Sequence, residues 1–198
     1  MSAHESMEQA EQTQEASNEN RRIALLIAII ALCLALSETL GKGAQTESIA
    51  KNVEASNLWA FFQAKTIRRT VVQTAAEQTT VVLGLIPEAQ KDAATKRIDD
   101  WQKTAQRYRS EPESGEGSEQ LSERAKHVEE ERDVATAKYH NFELASGAFQ
   151  IAIVLASATI ITGMVWLAVI SGLLTLTGIL FVGFGLFAPH ALHALHVI

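Results

Sequence analysis

Residues 144–188 read LASGAFQIAIVLASATIITGMVWLAVISGLLTLTGILFVGFGLFA, 45 positions without one Lys, Arg, Asp or Glu. As a single helix this tract would run ~67 Å, about twice the thickness of a bilayer's hydrocarbon core. One crossing cannot use that length, so the tract should fold back as a helical hairpin. Thr162-Gly163-Met164 is the natural turn, with Trp166 beside it as an interfacial aromatic anchor. This places two crossings near 144–163 and 167–187, and Pro189 ends the second.

Toward the N-terminus, Arg21-Arg22 introduces a second unbroken apolar run, Ile23–Leu36. Continued through Ser37-Glu38-Thr39-Leu40 it spans ~27 Å, just enough for a bilayer core. A cleavable secretory signal would look similar, and Ala35-Leu36-Ser37 resembles a small-residue cleavage site. The residues ahead of it carry Glu5, Glu8, Glu11, Glu15 and Glu19, however, unlike the basic leader of a signal. A retained first crossing over 23–41 is therefore the better reading. Residues 1–22 become a polar tail, disordered or frayed-helical, with almost no apolar surface to bury. Three crossings leave the two ends of the chain on opposite sides.

Between the first two crossings the chemistry changes. Gly43 to Glu143 holds 14 Lys/Arg and 17 Asp/Glu, within a chain of net charge −6. An acidic balance without a basic patch argues against nucleic acid as a partner. Three prolines and little alternation argue against an all-β fold. The single Cys33 excludes an internal disulfide framework and a zinc site built on paired cysteines. The expected fold is all-α, with three transmembrane helices and a long coiled-coil-like stalk, residues 42–143.

The stalk shows a 3.5-residue period, the signature of helices that pair along their length. Its first seam reads Ile49, Val53, Ser56, Ala60, Gln63, Ile67, Thr70, Thr74, Glu77, Val81. The second reads Ala94, Ile98, Trp101, Ala105, Tyr108, and the third Leu121, Ala125, Val128, Arg132, Ala135, Tyr139, Phe142. These seams are small and partly polar, so oligomerisation or attachment to membrane helices must add stability. Gly84-Leu-Ile-Pro87 should end the first stalk helix, since a residue before proline avoids the α region. Residues 111–118, EPESGEGS, read as a turn, with Ser118 as a helix cap.

Glu38 is the most suggestive single residue, because a carboxylate near the end of a crossing is costly unless solvated, paired or functional. Glu143 begins the second crossing on the same side, and Gln150 lies two turns deeper. The three would form a polar cluster where a cation or proton enters. The plainer account is that Glu38 reaches the interface and pairs with Lys42. Ala148, Ala152 and Ala156 make a small-residue stripe suited to close helix packing. His190, His193 and His196 mark the C-terminal end, 189–198, as amphipathic rather than as a metal site. No metal-protease, phosphate-loop or nucleophile-elbow motif occurs, so no catalytic, cofactor or metal site is expected, and an enzyme is not expected. The aromatic cluster around Trp59, Phe61 and Phe62, with Gln63 and Lys65, is either the core where stalk helices meet or a subunit interface.

That cluster carries a resemblance. Asn52-Val-Glu54-Ala-Ser-Asn-Leu-Trp59-Ala-Phe-Phe-Gln63-Ala-Lys65-Thr-Ile-Arg68 resembles the signature of a bacterial membrane-protein family known only as a domain of unknown function. Tyr139-His140-Asn-Phe142-Glu143-Leu-Ala, followed by Phe149-Gln150-Ile-Ala-Ile, is similar to the start of that family's second crossing. The resemblance implies a Glu-bearing first crossing, a helical stalk and a closing pair of crossings. It implies no activity, cofactor or substrate. Where the family often has basic residues between crossings two and three, this chain has Thr162-Gly-Met-Val-Trp166.

The expected function is an oligomeric structural or interaction scaffold in the bacterial inner membrane, with the lipid bilayer, further copies of itself and a protein partner of the stalk as partners. Arg21 and Arg22 favour a cytoplasmic N-terminus and a periplasmic stalk. The alternative is a subunit of an oligomeric channel or transporter with its polar site at Glu38, Glu143 and Gln150.

Overall fold

The computed structural model describes residues 3–190, with side chains from Asn20 onward, and every regular element in it is helical. The order is α1 (Ala3–Val82), a 3-10 turn (Leu83–Leu85), α2 (Glu88–Arg109), α3 (Ser118–Thr162) and α4 (Val165–Phe187). Three of these helices have stretches long and apolar enough to cross a membrane: α1, α3 and α4. The chain divides into two compact units, one of residues 1–47 with 134–198 and one of residues 48–133. Most of the tail expected over 1–22 consists of residues whose side chains lie outside the description, as do His193 and His196.

In the unit of residues 48–133 the chain doubles back, so that α2 and the start of α3 lie beside α1. Pro87 provides the reversal, because its ring fixes φ and removes a donor just after the 3-10 turn. The return is antiparallel: Lys65 faces Tyr108 of α2, Trp59 faces Glu129 of α3, and Lys51 faces Glu131. α2 and the first turns of α3 therefore act as one interrupted strand. The interruption is stitched shut. Arg109 Nε lies 2.7 Å from Glu119 Oε1, Ser118 Oγ donates to the Arg109 carbonyl at 3.3 Å, and Gln120 Nε2 donates to Ser110 Oγ at 3.1 Å. Ser118 thus ties α3 to the end of α2 instead of capping its own helix. Gly117 makes the closure fit, since a Cβ there would meet Gln120 Oε1, the Glu111 nitrogen and, at 2.8 Å, Ser110 Cα.

The second and third seams read from the sequence are buried at Ile98, Ala105, Leu121, Ala125, Val128, Ala135 and Phe142. The first is not. All ten of its positions, from Ile49 to Val81, are exposed. The face of α1 that meets the return strand is nearly opposite: Ser48, Lys51, Ala55, Leu58, Phe62, Lys65, Arg69, Val72, Ala76 and Thr79, each buried or half-buried. Its steps also alternate three and four. Ala55 and Ala76 allow close approach, while Leu58, Phe62 and the Lys65 stem supply apolar area. The β-branched residues that marked the other stripe are left facing outward.

In the other unit, Ile30, Ala145, Phe149 and Ala152 form a closed core. α3 and α4 pack through rings laid on bare backbone. A Cβ on Gly178 would sit 2.6 Å from the Phe149 ring, and one on Gly185 would sit 2.9 Å from the Phe142 ring. The phenylalanines are seven residues apart, as are the glycines, so one antiparallel register satisfies both contacts. Ser171 Oγ donates to the Ala152 carbonyl at 2.8 Å and locks that register. The hairpin turns at Gly163, whose φ of 68° suits glycine. Asn141, also buried, donates to the Ala137 carbonyl and to the Pro189 carbonyl at 3.1 Å, holding the end of α4 to α3.

Gly178→Ala should destabilise the protein in detergent by about 1–3 kcal/mol, the usual cost of overpacking a filled contact. Gly172→Ala, where a Cβ meets nothing within 4 Å, is the control and should cost far less. Thermal unfolding followed by helical circular dichroism measures both. Equal losses would show that Phe149 does not rest on Gly178.

Candidate functional site

α1 and α3 leave between them a cleft of about 270 Å³, lined on one side by Ser37, Glu38, Gly41, Lys42 and Gln45 and on the other by Tyr139, Phe142, Glu143 and Ser146. Gly41 opens it, for its Cα lies where a Cβ would come within 3.4 Å of Phe142 Cβ. Ser37 Oγ donates to the Phe142 carbonyl at 3.0 Å and pins the two helices at its floor. This bond takes up a lone pair left when the helix's own ladder is already complete.

The structure brings Glu38 and Gln150 together, with Gln150 Nε2 donating to Glu38 Oε1 at 3.5 Å. Gln150, not Lys42, is the partner it gives Glu38. Glu143 lies in the same cleft but faces its own helix, where His140 Nδ1 stands 3.7 Å from Glu143 Oε2. The negative charge of Glu143 pushes the Tyr139 hydroxyl up from its ordinary value, with burial and a hydrogen bond to Glu143 adding to the effect. The cleft therefore presents two carboxylates, one lysine and one phenol to solvent. Such a set can hold a hydrated cation or organise water. From the sequence Lys42 reads as a partner of Glu38 and Tyr139 as a seam position, and Ser146 is not singled out. Only their place on the facing sides of α1 and α3 brings them to the cleft. Among the described residues no three His, Cys, Asp or Glu side chains converge to hold a metal ion.

The aromatic motif lies in the other unit and is divided between two faces. Trp59 Nε1 donates to Glu129 Oε1 at 3.0 Å, and its ring meets Phe62 edge-on at 5.4 Å. Lys65, only 7% exposed, reaches Glu116 Oε2 at 3.4 Å and stands over the Phe61 and Tyr108 rings at 5.4 and 5.7 Å. A buried ammonium is tolerable here because a carboxylate and two ring faces replace its water. The motif thus clamps α1 at the junction of α2 and α3. Gln63 remains exposed, and Phe61 keeps 38% of its surface open. Ala152 and Ala156 are fully buried and Ala148 half-buried, so the alanine stripe is used inside the chain.

The chain matches the model of the family described as Domain of unknown function (DUF4337) over residues 19–188. It belongs to that family. Neither the curated proteins nor the solved structures give a match.

Ion pairs hold the flanks of α1 to the return strand. Lys51 Nζ lies 2.7 Å from Glu131 Oε2 and 3.3 Å from Glu54 Oε2. The Lys51 hydrogen bond holds the Glu131 carboxyl below its ordinary value of 4.5 and lifts Lys51 in turn. Arg107 lowers Glu111, and Arg109 lowers Glu119, by the same cause. Each carboxylate binds fewer protons folded than unfolded around pH 4.5, so its stabilisation is full above that pH and is lost as pH falls through the lowered value. The urea midpoint should therefore drop between pH 6 and pH 3, and Glu131→Gln should drop less over the same interval. An equal drop in both would show that the Lys51–Glu131 pair contributes nothing to this slope.

Proposed function

We propose that the protein is a multi-pass bacterial inner-membrane protein that anchors an α-helical interaction scaffold and works as an oligomer. The observation that carries this reading is the division of its surface. Leu25, Leu32, Leu36, Val154, Ile161, Leu173, Leu176 and Leu180 stand exposed on uncharged stretches of α1, α3 and α4, each between 58% and 85% open. Lipid is the solvent that accepts such a surface, and water is not. Residues 48–133, by contrast, carry ion pairs along both flanks of their helices, as a surface in water does. Arg21 and Arg22 favour a cytoplasmic N-terminus, with residues 48–133 on the other side. The long ion-paired helical surface of residues 48–133 favours binding over catalysis.

A second reading is supported by Glu38 and Gln150. They form a polar pair on the exposed side of apolar helices. A pair so placed is costly in lipid unless a second subunit or water covers it. Several copies around a pore would supply that cover, making the protein a subunit of an oligomeric channel or transporter.

The mass of the purified complex in nanodiscs, counted as protein chains, separates these readings. A scaffold predicts a stable oligomer of any number. A pore requires a closed ring of four or more, and then Glu38→Gln should change cation flux in vesicles at least severalfold while leaving the mass unaltered. A monomer would contradict both readings.

A further inference from the structure

The chain uses one face of α1 and leaves another that has the same repeat. From Ile49 to Val81 the outward stripe steps by four and three without a break, and all ten positions are exposed. In heptad terms the positions reached by the step of four are Val53, Ala60, Ile67, Thr74 and Val81. Val53, Ile67 and Val81 are the apolar β-branched residues found at that position of parallel two-stranded coils, while the positions between, Ser56, Gln63, Thr70 and Glu77, are polar. Ile67 and Val71 stand 64% and 62% exposed, on either side of an open groove that no other element enters among the described residues.

Charge points to the same occupant. Across the stripe and the two rows that flank it, twenty positions in all, Glu77 is the only charged residue. The other charges of this part of α1 are Lys51, Glu54, Lys65, Arg68 and Arg69, and they lie away from it. A face with a single charge in about ten turns gives a second copy of itself little to repel, the one unfavourable contact being Glu77 against its counterpart. It would offer a strongly acidic or basic partner nothing to pair with. Glu77 is exposed near the far end, where its carboxylate stays hydrated. The strip is ~48 Å long and ~10 Å wide, so two copies would bury roughly 1,000 Å², near the lower limit for a specific interface. Confinement to one membrane then raises the effective concentration.

We propose that this face of α1 binds the same face of a second copy, in parallel and in register, with Val53, Ile67 and Val81 each meeting its own counterpart. The parallel direction rests on the membrane reading given above, because two copies inserted with one topology point the same way. The face, the partner and the 3.5-residue register rest on α1 itself.

The test uses single cysteines in the full chain, on a Cys33→Ala background, oxidised in native membranes and read as dimer on a non-reducing gel. Val53→Cys, Ile67→Cys and Val81→Cys are on the face, while Glu54→Cys and Arg68→Cys are exposed neighbours off it. The expected result is about fivefold more dimer at the three face positions than at the two neighbours. Equal cross-linking at all five, or none at any, overturns the proposal. So does a cross-linked product joining the chain to a different protein at those positions. The same membranes are first washed in alkaline carbonate. A chain released by the wash overturns the membrane reading and the parallel pairing together, whereas a retained chain without face-specific dimers overturns the pairing alone.

Discussion

Contacts that recur every 3.5 residues can keep one stripe facing a partner over ten turns, because a left-handed coil cancels the ~20° per heptad by which an undistorted helix rotates that stripe away. α1 meets that condition on two faces within residues 48–133. One face is filled by the chain's own return strand, with Ala55 and Ala76 at its closest approaches and the buried Lys65 at its centre. Because that face is occupied, α2 and α3 must share a single track. This explains why their junction is drawn so tightly around Gly117, Ser118 and Arg109. The return strand cannot shift by one residue without losing the seats of Trp59 on Glu129 and Lys65 on Glu116. The family motif is therefore first a device for register, and what it leaves outside follows from what it holds inside.

The apolar helices solve the same problem with different parts. Phe142 and Phe149 rest on Gly185 and Gly178, so one ring and one missing side chain alternate at a seven-residue spacing. These close contacts, with the Ser171 hydroxyl on the Ala152 carbonyl, are of the kind that holds helices together where no hydrophobic force can. The cleft at Glu38 and Tyr139 depends on this arrangement. Gly41 gives Phe142 its place against α1, and Ser37 fixes the Phe142 carbonyl. Its polar residues then line the gap that the packing leaves, with two carboxylates and a raised phenol on the facing sides of two helices.

The all-helical class was legible because charge and apolar runs are so sharply segregated. Seams two and three were legible because Ile98, Leu121 and Val128 are large and apolar. The inner face of α1 was not. It includes Ser48, Lys51, Lys65 and Arg69, which a search for apolar periodicity passes over, and the partners that make Lys65 acceptable lie 43 and 51 residues away at Tyr108 and Glu116. Apolar periodicity marks Ile49, Val53 and Ile67 instead, a real repeat on the face that no other described element covers. Glu38 and Gln150 stood out as polar positions in apolar surroundings, and they do meet. Tyr139 and Ser146 gave no such signal, because only the alignment of α3 beside α1 brings them to the cleft.

The account rests most heavily on α1 having two interleaved faces with different occupants. Thiol-labelling rates for single cysteines at each position from Ser48 to Thr79, on a Cys33→Ala background, test this directly when taken once in membranes and once after dissociation in detergent. The inner positions, among them Ala55, Leu58, Phe62 and Ala76, should label slowly in both states. The outer positions, among them Val53, Ala60, Ile67 and Thr74, should label slowly in membranes and quickly after dissociation. Fast labelling at Ala55 and Ala76 in detergent, or identical rates at Val53 and Ile67 in the two states, would contradict it.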